Sequence, residues 1–413
     1  MPSPEFFQVL PVADALKLLD RHWQPTPARE FIAAADALDR ISAVEVRSPE
    51  AVPAFRKSTV DGYAVRAADT FGASQALPAF LEVLGEIKMG ERPPRDIGSG
   101  QTMTIHTGGM LPEGADAVVM IETTQVIDEG EIEAMRAVAP GENVIQVGED
   151  VAAGAAVLPR RQRLRAGDIG GLLAVGIEQI EVLRAPRVGI LSCGDELLPP
   201  EVAPPPPGKV RDINAYTLSA LAEKEGAEPL RLGIASDSLE DYRARAEAGF
   251  AQSDILLLSA GSSVSARDYT RDVINGLGAP GLLQHGLATK PGKPTIIAVC
   301  EDKPVIGLPG NPVSALLVAR QILPHLIARF LGQKRERPLM TRARLALRVA
   351  SETGREDWLA VRLRLTDDEI PLAEPILGKS NLIFTLAGAD ALLRVPLNSG
   401  GLDAGSLVEV EPL

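Results

Sequence analysis

Residues 256–315 read LLLSAGSSVSARDYTRDVINGLGAPGLLQHGLATKPGKPTIIAVCEDKPVIGLPGNPVSA, and this stretch decides the fold. The apolar run from Ile255 to Leu258 ends in small residues, Ser259 to Ser265, followed by Asp268. That order predicts a buried strand, a tight loop that lets a ligand approach the backbone, and a helix start. Further on, Lys290 and Lys293 flank Pro291 and Gly292. A second apolar run, Val305 to Leu308, ends in Pro309-Gly310-Asn311-Pro312, where another helix begins. Open parallel sheets bind ligands at the carboxyl ends of their strands. Small residues, two lysines and an acid at such ends suit a phosphorylated ligand, with a metal as a companion.

Working outward, residues 186–332 alternate strand and helix. Val188 to Leu191, Leu230 to Ile234, Ile255 to Leu258 and Val305 to Leu308 read as strands. Asn214 is placed to cap a helix ending near Gly226, and Asp237 to begin the next. Repeated βα units with apolar strands predict a doubly wound parallel α/β sheet. Upstream, Val12 to Trp23 predicts an amphipathic helix and Ile32 to Leu38 a second. Residues 51–147 read as short strands and turns, a β-rich inserted lid. Two of its segments combine turn residues with carboxylates or hydroxyls: STVDGYA from Ser58 and TGGMLPEGAD from Thr107. Ordinary surface turns would look the same. The end of the chain alternates apolar and polar residues at Leu359 to Leu365, Leu392 to Leu397 and Leu407 to Glu411, which predicts a C-terminal β-barrel or sandwich. The expected domains are 1–50 with 148–184 (mixed, discontinuous), 51–147 (lid), 185–332 (α/β) and 333–413 (β-barrel).

Composition narrows the function. The chain has 413 residues with a net charge of -13. That acidity argues against a nucleic-acid partner, while a local positive site remains compatible with it. Cys193 and Cys300 stand alone, which fits a reducing, cytoplasmic setting. The opening MPSPEFFQVLPVADALKLLD carries no basic and apolar leader pattern. The most apolar helical stretch, Val313 to Leu331, contains Arg320, His325 and Arg329, which argues against a membrane span. The four histidines do not cluster, so a histidine zinc site is not expected. Glu196, Asp237 and Asp268 each fall at or just after a predicted strand end and so share one edge of the sheet. Converging carboxylates repel unless a cation or protons offset them, and Mg²⁺ is the natural partner.

Together the segments STVDGYAVRAAD, TGGMLPEGADAVVMIE, GEDV, CGDEL, RDINAYTLSA, SAGSSVSARDYT, KPGKP and GLPGNPVSALL resemble the molybdopterin molybdenumtransferase family, the MoeA-like proteins and the gephyrin E domain. They occur in the family's order, and with the flanking domain layout the resemblance covers nearly the whole chain. It implies insertion of molybdate into adenylylated molybdopterin with Mg²⁺ and release of AMP. It also implies a homodimer whose active site is shared between subunits, and molybdopterin adenylyltransferase as the upstream partner. By resemblance Asp61, Thr107 and Asp150 come from the lid side of the cleft, and Glu196, Asp237, Asp268, Lys290, Lys293, Pro309 and Pro312 from the α/β side. Asp61, Asp237, Asp268, Lys290 and Lys293 are the candidate catalytic residues. Thr107, Asp150, Ser259, Gly261, Ser263, Pro309, Pro312 and Ser380 would bind substrate, and Asp268 with Glu196 the metal. Three departures stand out: Ala260 and Ser265 replace family glycines, Cys193 replaces a threonine, and Ala360 occupies the usual position of an arginine, with Arg355 and Arg362 nearby. The competing readings are the preceding adenylylation step and a non-catalytic gephyrin-like scaffold.

Overall fold

The computed structural model describes residues 9–128, 130–260, 264–334, 338–365 and 369–413, excluding the side chains of 264–268. Two compact units emerge, Glu30–Val182 and a discontinuous one made of Met1–Arg29 with Leu183–Leu413. The helix Val12–His22 belongs to the second. Asp20 near its end accepts from His325 Nε2 at 2.8 Å, and Arg329 Nη2 donates to the carbonyls of Asp20 and Trp23.

In Glu30–Val182 the main sheet has six strands, ordered Ala117–Met120, Gly62–Val65, Gln101–Ile105, Ala79–Glu86, Glu131–Ala134 and Thr124–Asp128. Neighbouring residues point to opposite faces, as a pleated strand requires. Tyr63, Val65 and Val119 enter one apolar cluster, and Ala64, Met103 and Val118 enter another. Both faces are therefore covered, which makes this region a domain with its own cores. The expected helix at Ile32 to Leu38 is a strand, Arg29–Ala33, followed by one 3₁₀ turn, Ala34–Asp36. Backbone pairing with Gln179–Leu183 outweighs the alanine-rich local preference there.

The α/β part of the other unit holds a six-stranded sheet. Glu228–Ala235, Arg187–Cys193, Ile255–Ala260 and Lys303–Pro309 lie side by side and parallel. Ile255–Ala260 is buried at every residue, as a strand covered on both faces must be. Helices Leu239–Gln252 and Val264–Gly276 pack together, as do Asn214–Lys224 and Pro312–Phe330. Chain direction across the sheet reverses between Arg187–Cys193 and Ile255–Ala260, which is the switch point where such folds open a crevice.

The sheet is not wholly parallel: Ile296–Cys300 runs antiparallel between Lys303–Pro309 and the edge strand Pro280–His285. The cause is a two-residue hairpin at Glu301-Asp302, both at positive φ (44° and 59°). Pro312–Phe330 is long and apolar enough to cross a membrane by length and composition, yet 67% of its most apolar window is buried inside this unit.

The last strands close on themselves. Glu356–Arg364 pairs with both Leu372–Pro375 and Ala391–Val395, and Thr341–Leu345 and Leu407–Pro412 complete the ring. Alternate residues such as Ala343, Leu345, Val361, Leu393 and Val410 fill its core. A two-residue strand from the α/β part, Thr289–Lys290, adds to the same sheet, with Lys290 opposite Asp357.

Candidate functional site

A cleft of about 1290 Å³ lies within the second unit. The Lys290-Pro291-Gly292-Lys293 loop forms one wall and the Pro309-Gly310-Asn311 turn another. The barrel supplies Arg355, Asp357 and Trp358, and the segment after Leu372–Pro375 supplies Lys379 and Ser380. The lysine loop is shaped by Gly292, at φ +116°, where a Cβ would lie 2.0 Å from Val318 Cγ2. Only glycine lets the loop lie this close to the helix.

The sequence candidates fall into distinct groups. Lys290, Lys293, Pro309 and Ser380 line the cleft. Pro312 opens the helix beside it, where proline's missing N–H costs nothing. Ser380 holds that helix start: its carbonyl accepts from Val313 N at 3.0 Å, and its Oγ accepts from Asn311 Nδ2 at 3.1 Å. Lys293 is exposed and has no side-chain partner among the described residues. Lys290 Nζ faces Asp357 Oδ2 at 3.6 Å.

Ser259, at the end of its strand, is buried and accepts from Asn214 Nδ2 at 2.9 Å. Asn214 corrects an expectation. It opens its helix but does not cap it, since its side chain also donates to Gly310 O. Asp212 Oδ1 accepts from Ala215 N instead, two residues further upstream. Gly261 and Ser263 lie outside the described residues, as does the Asp268 side chain. The Asp268 backbone sits in Val264–Gly276.

Glu196 and Asp237 are exposed at the adjoining strand ends. Asp237 does not begin a helix, which starts at Leu239. Instead Asp195 and Asp237 lock together: Asp237 N donates to Asp195 Oδ1 at 3.1 Å and Asp195 N donates to Asp237 Oδ2 at 3.4 Å. Cys193 Sγ points at Asp237 Oδ1 from 3.7 Å. Burial, then the charge of Asp237, pushes this thiol up to about 12, so it remains a neutral thiol beside the carboxylates.

In the first unit Asp61 precedes the strand Gly62–Val65. Gly62 is required there, since a Cβ would lie 1.9 Å from Val119 O. Asp61 Oδ1 accepts from both Thr107 N (2.7 Å) and Thr107 Oγ1 (3.1 Å). The backbone hydrogen bond, foremost, holds the Asp61 carboxyl below the usual aspartate range. No hydrogen bond or ion pair joins Asp150 to this pair among the described residues. Asp150 sits in a turn whose amide donates to Val52 O. Asp116, in the segment that begins at Thr107, is a brace: its Oδ1 accepts from Ala67 N at 2.7 Å.

The sequence reading missed the role of Asp357 and of the Trp358 indole, and misplaced that of Asn214. Asp357 is buried and unites Lys290 with Arg355. Trp358 carries a buried indole N–H with no partner among the described residues. Asn214 lay inside RDINAYTLSA, a motif whose side chain was assigned to the wrong partner. Among the neighbours of Ala360, Arg355 lines the cleft, whereas Arg362 reaches the carbonyl of Gly388 at 3.4 Å. Ala360 packs with Val313, Leu317, Leu386 and Leu392, so an arginine there would displace apolar packing.

The arrangement is a cleft with the size and the cations to hold a large anion. Cations face it from two domains, and carboxylates lie at the neighbouring strand ends. Comparison with known proteins identifies the family. Residues 10–176 match "MoeA N-terminal region (domain I and II)", 189–328 match "Probable molybdopterin binding domain", and 342–413 match "MoeA C-terminal region (domain IV)". A molybdopterin molybdenumtransferase of Bacillus subtilis is 33% identical over 97% of this chain and 93% of its own length. Its namesake from Haemophilus influenzae is 32% identical over 96% of each chain. Two solved structures of molybdopterin biosynthesis MoeA proteins from Pyrococcus horikoshii superpose over 98% of this chain. Their TM-scores are 0.84 and 0.82, at 36% and 29% identity, and they are covered over 99% and 100% of their own length. With all three family regions present in order and relatives above 30% identity along nearly its whole length, the chain belongs to the molybdopterin molybdenumtransferase family of molybdenum cofactor biosynthesis enzymes.

Proposed function

We propose that the chain inserts molybdate into adenylylated molybdopterin and releases AMP, with Mg²⁺ as the metal. The observation that carries this reading is the cleft itself, in which Lys290, Lys293, Arg355 and Lys379 converge on about 1290 Å³. That exceeds the ~300–1,000 Å³ typical of drug-sized ligands and suits a pterin joined to a nucleotide.

A Mg²⁺ held here would be completed by phosphate oxygens of the substrate. Mg²⁺ takes one or two carboxylates plus phosphate oxygens and water. Among the described residues no group of three or more His, Cys, Asp or Glu side chains is set to hold an ion. Glu196 and Asp237 present separate carboxylates at one sheet edge, and Asp268 follows the neighbouring strand. Glu196 and Asp268 would hold the metal, which would draw charge from the phosphoanhydride oxygens. Lys290 and Lys293 bind anionic oxygens as point charges. Ser380 and the Pro309–Pro312 turn give the ligand a fixed wall. Positioning and charge would supply most of the rate, as in other phosphoryl chemistry.

In this reading Asp61, Thr107 and Asp150 act from the partner subunit of a homodimer. A molybdopterin adenylyltransferase supplies the substrate, and the reaction takes place in the cytoplasm. The test is to incubate the protein with adenylylated molybdopterin, Mg²⁺ and molybdate. Molybdate-dependent AMP release is expected. Consumption of ATP with free molybdopterin, and no AMP release, would assign the preceding step instead.

A further inference from the structure

The geometry points to Asp357 as a positioning residue that fixes Lys290 and Arg355 as a spaced cation pair and so selects among oxyanions. This rests on the reading that the cleft takes an oxyanion. Asp357 lies directly opposite Lys290 where the strand Thr289–Lys290 meets the barrel. Its side chain is 6% exposed. A carboxylate this buried is strongly disfavoured unless paired. Each oxygen serves a different cation. Oδ1 accepts from Arg355 Nε at 3.0 Å, and Oδ2 faces Lys290 Nζ at 3.6 Å. Arg355 is gripped from a second side, its Nη1 lying 2.9 Å from Glu352 Oε2. The flexible Lys290 stem has no other ion pair among the described residues.

The surroundings are rich in donors. Thr289 Oγ1 and Trp358 Nε1, buried donors of residues that also line the cleft, have no partner among the described residues. Asp357 is the acceptor that Lys290 and Arg355 share. It repels an oxyanion itself, so it acts through the cations it holds. Cations held at one spacing favour an anion of matching size, whereas released cations would follow any dianion.

The experiment titrates molybdate and sulfate separately into the full-length wild type, Asp357→Asn and Asp357→Glu by calorimetry. AMP release is followed in parallel. Asp357→Asn should lower the molybdate-to-sulfate affinity ratio about tenfold and reduce kcat, with Asp357→Glu lying between it and the wild type. A variant that only melts earlier, with the ratio and per-site kcat unchanged, would overturn the inference. So would a wild type that shows no molybdate binding. If Asp357→Asn does not fold, Asp357→Glu decides: a shifted ratio supports the role, and an identical one removes it. The titrations need no turnover, so they judge Asp357 separately from the proposed reaction.

Discussion

Asn214 and Ser259 are joined by a hydrogen bond of 2.9 Å, and the same amide nitrogen reaches Gly310 O, also at 2.9 Å. One buried amide thus fastens the end of the strand Ile255–Ala260 to the turn after Lys303–Pro309. Asn214→Ala leaves both acceptors short of a donor and should destabilise by about 1–3 kcal/mol. Asn214→Asp is the sharper change, since a carboxylate cannot donate and would face two oxygens. Urea unfolding should place Asp below Ala and both below the wild type. An aspartate variant as stable as the wild type would refute this account.

Lys293 offers a cleaner probe of the cleft than Lys290. It has no ion pair among the described residues, so Lys293→Gln should change stability by no more than about 0.5 kcal/mol. The same change should weaken the response of AMP release to molybdate or to the adenylylated substrate by roughly tenfold or more. Unchanged kinetics at limiting concentrations of both would remove Lys293 from the site.

The depressed Asp61 carboxyl has a pH signature. A group whose folded pKa lies below its unfolded value stabilises above the unfolded value and loses that contribution as pH falls through the folded one. Asp61 therefore stays ionised into mildly acidic solution. Because the Thr107 amide is the leading cause, Thr107→Val should raise the Asp61 titration only part way. A carboxyl-resolved NMR titration reads this directly. Full return to the ordinary aspartate range would show that the hydroxyl, not the amide, dominates.

A site shared between subunits predicts complementation. Asp61→Asn and Asp268→Asn should each be nearly inactive alone. In a hybrid dimer one site would collect both changes and the other neither. With random exchange about a quarter of all sites should be intact. If subunits demonstrably exchange and activity does not return, each site is built within one chain.

The parts legible in the sequence are those where one local rule governs. The barrel strands showed because alternation at Val361, Leu393 and Val410 follows a core on one side only. The KPGKP and GLPGNP loops showed because small residues at strand ends have few other uses. The antiparallel strand Ile296–Cys300 did not show, because its turn uses Glu301 and Asp302 rather than Asn-Gly. Asp357 was hidden for a different reason. An acid on an alternating strand looks solvated until Lys290, from a distant segment, is seen to pair beside it. Asn214 was misread because capping and bridging demand the same residue type.

The two-residue strand Thr289–Lys290 carries a consequence for transplantation. It is spelled in the α/β segment yet hydrogen-bonded into the barrel, with Glu356 N donating to Ala288 O at 2.9 Å just before it. The lysine loop is therefore joint property of two domains. An α/β segment expressed alone would present its lysines without the ledge that aims them. A chimera that borrows a relative's barrel must bring residues 288–290 with it, or the borrowed barrel will arrive with a seam that nothing fills.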